Sequence, residues 1–463
     1  VAAAPREVSP GLQYTGRFAG GLIDDVRRRL PCYLDDLRDG LHPKALSATL
    51  FLLFACIAPA VTFGGVMAVG TGGHIGAVEM IAATAICGVA YALLAGQPLI
   101  ILGGTGPLLI FTVILFDLCH DLNIPFLPTY AWVGVWTALL LVILAVTDAG
   151  ALMRHFTRFT DEIFAALISL IFIYEAVKAL WKTFMSVYTV EDMKHDGAFL
   201  SLILALGTFF IASNLSRFHR SRYLNSRLRM FLADFGPMIA LGLMTLLAFW
   251  FQGEVKLKTL AAPDQFGPTL AGRAWLVDPL DANLPRWVWL AAAVPALLAA
   301  VLIYLDQNIT ARLINNPDNK LQRGEAYHLD LAVVGVLTGV CSLLGLPWLV
   351  AATVRSLNHV RSLATVEEVV TPGGGVHERI VHVRETRLTG LGIHLLVAAS
   401  LLLLPLLKHV PLAVLYGLFL YMGVVSMKGN QFFERLNLWP MDPSLYPSTH
   451  YIRRAPMRVI HAF

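Results

Sequence analysis

Charge is scarce in this chain. Asp, Glu, Lys and Arg make up 14% of its 463 residues, against about 25% in ordinary soluble domains. Hydrophobic residues reach 57% and mean hydropathy is +0.66. A soluble fold could not cover that much apolar surface, so the composition points to a membrane protein. Cysteine is also scarce: Cys32, Cys56, Cys87, Cys119 and Cys341 are scattered without metal or disulfide spacing and read as small core residues. No paired nucleophile and base and no phosphate-binding glycine loop is present, which argues against an enzyme and leaves no cofactor to expect. No secretory signal is visible, because the residues up to Pro43 are polar and mixed in charge. The net charge of +4 says nothing for nucleic acid; the placement of the basic residues is what matters.

What the chain has is a series of apolar runs, two of them interrupted. Residues 346–359 (LPWLVAATVRSLNH) are too short and too polar to span a bilayer alone, and read as extended backbone that turns helical halfway. Residues 97–111 (QPLIILGGTGPLLIF) share that grammar: β-favouring residues, then Gly-Pro, then a short helical run. Two broken segments in corresponding positions indicate a transporter built from inverted repeats, with half-helix N-termini able to face a bound anion. The other spans are expected near 45–65, 77–95, 130–152, 161–184, 198–215, 232–251, 286–313, 329–345, 388–407 and 411–427.

Before the first span, residues 20–40 form an amphipathic, charge-rich segment suited to a membrane surface. In the first span, Pro59, Gly64 and Gly65 suggest a bent end that would bring Thr62 and Phe63 close to the site; a plain kink is the other reading. Glu175 and Lys178 share a helical face as an ion pair or a proton relay. Asp117, His120 and Asp121 read as solvated loop residues rather than a metal site. Arg217, His219, Arg220, Arg222, Arg227 and Arg229 form the strongest cytoplasmic signal. Residues 253–285 form a mixed-charge loop expected outside. Residues 361–387 form a polar loop with Gly373, Gly374 and Gly375 as its flexible centre. With the N-terminus inside, every basic loop falls on one face.

The chemistry is expected where the two half-helices meet. Backbone N–H groups at facing helix N-termini make an anion site, and a guanidinium binds a planar oxyanion through two parallel hydrogen bonds. Bicarbonate suits that geometry. Arg355 is the candidate cation; Asp306, in a costly position within a span, is its expected partner, and Thr310 lies one turn on along the same face.

At these residues the chain resembles solute carrier family four, the bicarbonate transporters, which include the band three anion exchanger, sodium-bicarbonate cotransporters and borate transporters. The resemblance covers almost the whole chain. It is carried by Gly20-Gly21-Leu22 with Val26-Arg27-Arg28-Arg29, Pro59 to Gly65, Gly96-Gln97-Pro98-Leu99, and Thr105-Gly106-Pro107-Leu108-Leu109. Ile168 to Glu175, His328-Leu329-Asp330-Leu331, Ala352-Thr353-Val354-Arg355-Ser356, Leu415 to Gly423 and Tyr451 to Arg458 also match. It implies an all-α polytopic membrane dimer with fourteen segments in two inverted repeats of seven, divided into core and gate domains, working by alternating access. Thr353-Val354-Arg355-Ser356 resembles the sodium-independent exchangers, whereas Asp306-Gln307 resembles the sodium-coupled members. Thr112 stands where animal exchangers carry a carboxylate.

The resulting expectation is a secondary anion transporter of the plasma membrane, exchanging bicarbonate for chloride or another small anion, contacting lipid and working as a homodimer. Sodium-coupled bicarbonate or carbonate transport, borate or hydroxide transport and a channel-like anion pathway are the alternatives. The substrate-binding set is Arg355, Val354, Thr353, Thr105, Gly106, Asp306, Thr310, Thr62 and Phe63. No metal is expected unless transport is sodium-coupled, when Asp306, Thr310 and Thr353 would be the ligands. The expected organisation is an N-terminal interfacial segment (1–44), a transmembrane domain (45–427) and a cytoplasmic tail (428–463). The first repeat covers 45–251; the second covers 286–427 and is short by two spans against the family, which leads to an expectation of poor transport by this chain alone.

Overall fold

The structure, a computed structural model, describes residues 10–155, 158–189, 195–220, 223–261, 263, 266–370, 376–427, 430–442 and 446. After a single turn at Pro10–Leu12 come α1 (Gly20–Arg29) and α2 (Tyr33–Arg38), then the long α3 (Pro43–Gly70) and α4 (Ala77–Leu94). Strand β1 (Leu102–Gly103) leads directly into α5 (Gly106–Asp121), followed by α6 (Phe126–Val146), α7 (Arg158–Thr189), α8 (His195–Ser216), α9 (Ser226–Asp234) and α10 (Gly236–Trp250). Beyond a long loop lie α11 (Trp287–Ala291), α12 (Ala293–Ile314), α13 (Tyr327–Leu343), β2 (Val350–Ala351) and α14 (Thr353–Leu363). A hairpin of β3 (Ala364–Val370) and β4 (Val376–Val383) precedes α15 (Arg387–Ala399), α16 (Leu404–Leu407), α17 (Leu412–Ser426) and α18 (Gln431–Asn437).

Each expected span has a counterpart among these elements, the third and tenth being the β1–α5 and β2–α14 units. Among the described residues six helical stretches are long and apolar enough to cross a bilayer, and three shorter apolar helices accompany them. The helices form two groups. α3, α4, α6, α12, α13, α14 and α15 pack together, and α7, α8, α10 and α17 form a second bundle beside them. α3 continues through Pro59 without a break and runs on to Gly70. Gly64 instead serves close packing, since a Cβ there would stand 2.5 Å from the Ala77 backbone.

The segment before α3 is tied down by charge. Asp36 accepts from Arg29 (3.2 Å) and Arg387 (3.1 Å), and Arg29 also reaches Glu385 (3.1 Å). Asp25 in α1 accepts from the backbone of His328 (2.8 Å) and Leu329 (3.1 Å), satisfying two of the N–H groups that begin α13. Glu175 and Lys178 do form the ion pair, at 3.5 Å.

The polar loop at 361–387 is in fact the β3–β4 hairpin, antiparallel with an irregularity between Thr365 and Val366. Its flanks are rich in Val, Thr and Ile, which suit pleated backbone better than loop. Gly373, Gly374 and Gly375 lie outside the described residues, as does the Tyr451 to Arg458 motif.

Candidate functional site

β1 and β2 pair antiparallel, Leu102 with Ala351 and Gly103 with Val350, so that the two broken segments cross at their extended halves. Backbone freed by breaking a helix must find partners, because each buried orphan costs about 1–3 kcal/mol. Here protein supplies them. Asp330 accepts from Gly96 (2.7 Å) and Gln97 (3.1 Å), and the Leu99 carbonyl meets His359 Nδ1 (3.0 Å). Ile101 donates to Ser356 Oγ (3.0 Å), and Ala351 donates to Gln307 Oε1 (3.1 Å). The Leu346 carbonyl accepts from the Tyr130 hydroxyl (3.1 Å).

From this crossing the two half-helices diverge, with their N-termini at Gly106 and Thr353. Neither is capped by its own preceding side chain: Ala352 has no donor or acceptor there, and Thr105 turns its hydroxyl to Asp306 Oδ2 (3.0 Å). Arg355, in the first turn of α14, is 8% exposed. Its guanidinium donates to the Gly104 carbonyl (3.1 Å) and lies beside the Cys56 thiol. It also covers Gly103, where a Cβ would stand 2.2 Å from Nη1.

Asp306 is not its partner. The sequence reading pairs the two, but among the described residues neither Arg355 nor Asp306 makes an ion pair. β2 and α14 carry Arg355 over the Gly103–Gly104 backbone, while α12 presents Asp306 to Thr105. Among the described residues Arg355 is singular in this respect. The other deeply buried guanidiniums all have carboxylates: Arg29 with Asp36 and Glu385, Arg387 with Asp36, and Arg273 with Glu79 at 3.0 Å.

The remaining candidates divide. Thr310 and Thr353 hydroxyls meet at 2.7 Å, which brings α12 and the start of α14 into one polar wall with Asp306 and Thr105. Val354 projects outward and is 62% exposed. Thr62 is buried and returns its hydroxyl to the Ala58 carbonyl (2.7 Å) within α3. Phe63 approaches the site only as an apolar neighbour of Gly104.

The sequence pattern of the HCO3- transporter integral membrane domain matches residues 17–196 and 185–463. The chain belongs to that family. The family is one of membrane transporters, and this member is an integral membrane protein with several apolar helices. The chain is 40% identical over 518 aligned positions to rat electroneutral sodium bicarbonate exchanger 1, covering 98% of this chain and 47% of the relative. Against human sodium bicarbonate cotransporter 3 it is 38% identical, covering 99% and 43%. Against the human sodium-driven chloride bicarbonate exchanger it is 38% identical, covering 98% and 46%. It thus spans about half the length of these curated relatives.

Among solved structures, the transmembrane domain of the cyanobacterial bicarbonate transporter BicA superposes with a TM-score of 0.64 at 18% identity, covering 91% of this chain and 95% of that one. Murine Slc26a9 in the inward-facing state superposes at 0.60 with 15% identity, covering 95% and 68%. At such identities the likeness is one of fold.

Within this family member, several residues at the crossing take structural roles that motif and charge do not assign. Gln307 holds β2, Gly103 makes room for the guanidinium, and Cys56 stands beside it. Phe172 leans on Gly106: its ring edge lies 3.0 Å from where a Cβ would be. Phe172 falls inside the Ile168 to Glu175 motif, which is the one signal that could have singled it out. Cys87 and Cys341 are 254 residues apart in sequence, yet their sulfurs approach to 3.2 Å.

Proposed function

We infer that this chain is the transporting part of a bicarbonate carrier that binds its anion between the N-termini of α5 and α14, at Arg355. One observation carries the reading: Arg355 is a buried guanidinium without a carboxylate, beside two half-helix N-termini that no preceding side chain caps. Such a place is electropositive by charge and by helix dipole, and a planar oxyanion completes it with paired hydrogen bonds. Thr105, Gly106, Thr353 and Val354 would line the bound anion. The preferred mode is exchange of bicarbonate for chloride or another small anion by alternating access, the two helix groups acting as core and gate. Inverted repeats, a homodimer in the plasma membrane and a cytoplasmic N-terminus belong to the same reading, as do the bounds 1–44, 45–427 and 428–463.

A second mode, sodium coupling, has its own support. Asp306 is a buried carboxylate that accepts from the neutral Thr105 hydroxyl, with the Thr310 and Thr353 hydroxyls in the same wall. A small cation prefers such oxygen ligands, and the relatives named above carry sodium in their names. Bicarbonate flux into liposomes, measured with and without sodium and chloride, separates the two. Flux that needs internal chloride and ignores sodium supports exchange; flux that needs sodium replaces it with coupling. No flux under any condition, together with bicarbonate binding that Arg355→Leu leaves unchanged, removes the reading.

A further inference from the structure

Three phenylalanine rings stand against one side of this site. Phe63 of α3, Phe172 of α7 and Phe419 of α17 touch pairwise, edge to face, with centroids 5.7, 5.3 and 5.4 Å apart. All three are buried. Phe63 belongs to the helix group that carries the broken segments, whereas Phe172 and Phe419 belong to the second bundle. The rings are not remote from the crossing. The edge of Phe172 lies 3.0 Å from the position of a Cβ on Gly106, and the ring of Phe63 lies 3.5 Å from that on Gly104. At the start of the other half-helix, by contrast, Val354 is 62% exposed.

We propose that Phe63, Phe172 and Phe419 are the closed gate of the anion site: an aromatic plug that seals the α5 side while the α14 side is open. The inference rests on the anion-carrier reading. An anion moving toward α5 would have to pass between touching rings that offer it no hydrogen bond, so hydration would be lost with nothing in exchange. The plug lies where two separately packed groups of helices meet. Edge-to-face ring contacts of this kind can part and re-form as the groups shift, without breaking backbone hydrogen bonds. Phe172 is the key member, because it touches both the other rings and the N-terminus of α5.

The test uses the full chain in liposomes with a potassium diffusion potential and no exchangeable counter-ion, reading net bicarbonate movement. Phe172→Ala should raise this leak at least tenfold over wild type; Phe172→Leu, which keeps apolar bulk, should not. Adding Arg355→Leu to Phe172→Ala should abolish the leak, because the path runs past the guanidinium. A wild-type leak in folded Phe172→Ala overturns the gate and leaves the anion site standing. A leak indifferent to Arg355→Leu overturns the anion site instead. Should Phe172→Ala fail to fold, Phe172→Cys with Phe419→Cys can be bridged by a reducible bifunctional thiol reagent. Bridging should stop coupled flux and reduction restore it; flux unaffected by a completed bridge overturns the gate.

Discussion

A guanidinium taken out of water costs several kcal/mol unless other groups offset it, and a nearby carboxylate is the usual offset. Arg355 has the Gly104 carbonyl and the Cys56 thiol instead. If a transported anion supplies the missing charge, Arg355→Leu should weaken bicarbonate binding roughly thirtyfold or more, the equivalent of about 2–5 kcal/mol. Arg355→Lys should recover only part of this, because an ammonium keeps the charge without the planar fork. Concentration dependence of flux in both variants checks the order, and normal affinity in Arg355→Leu would remove Arg355 from the site. Gly103→Ala probes the same group from the other side. Its methyl would stand 2.2 Å from Nη1, so the guanidinium must move and affinity should fall while thermal stability of the remaining fold changes little. Arg355, Thr353, Thr310 and Thr105 were legible in the sequence because polar residues in apolar runs are conspicuous. The expected Arg355–Asp306 pair does not form because Arg355 is taken up by the Gly104 carbonyl and Asp306 by the Thr105 hydroxyl, partners that charge and depth do not reveal. Phe172 and Phe419 lie inside the motifs Ile168 to Glu175 and Leu415 to Gly423, but nothing else marks them: an apolar ring in a membrane helix looks like every other.

Among the elements, the two broken segments were readable from Gly-Pro and from polar residues where a helix should have continued, and both appear as a strand turning into a half-helix. Their exact pairing was not readable, since register depends on Gln307, Ser356 and Asp330 arriving from distant helices. The interfacial segment was legible as amphipathic, but not its attachment. Asp36 holds Arg29 and Arg387 in one buried cluster, so Asp36→Ala leaves unpaired buried charge and should destabilise the protein by about 3–5 kcal/mol. A thermal unfolding series in detergent would show it, and an unchanged midpoint would mean that water already satisfies the cluster. Attachment of α1 should also depend on pH. Burial pushes the Asp25 carboxyl up to about 7, against the N–H of Leu329 and the charge of Arg28, with Asp330 adding to the rise. A raised carboxylate binds its proton more tightly docked than free, so its contribution is complete below about 4 and lost as pH rises through about 7. Proteolysis at Arg27, Arg28 and Arg29 should therefore quicken across that window relative to Asp25→Asn, and equal profiles would refute the linkage.

At the scale of the molecule, the long loop between α10 and α11 works as a strap over the ends of both helix groups. One end of it pairs with the start of α17: Leu260 donates to the Val410 carbonyl (2.9 Å) and Leu412 to that of Lys258 (3.0 Å). Further along, Arg273 enters the first group. It pairs with Glu79 at 3.0 Å and donates to the carbonyls of His74 (2.7 Å), Leu344 (3.0 Å) and Gly345 (2.7 Å). Composition and spacing gave only a mixed-charge loop here, because nothing local marks one arginine among several as buried. The side chains of both Arg273 and Glu79 are at most 3% exposed. Truncating Arg273 to Ala strands the Glu79 charge and three carbonyls, a loss of about 3–5 kcal/mol. The loss should be local: the strap lifts while the helices it covers stay packed, so cleavage within 253–285 by added protease should rise at least tenfold with little change in helical content. Arg273→Met combined with Glu79→Gln removes both charges and should return much of the protection, since the stranded carboxylate, rather than the missing contact, is the larger cost. Protection unchanged in Arg273→Ala would mean that the other fastenings of the strap, the Lys258 to Leu260 pairing, Thr269 on Glu79 and Val277 on Leu343, hold it without the arginine.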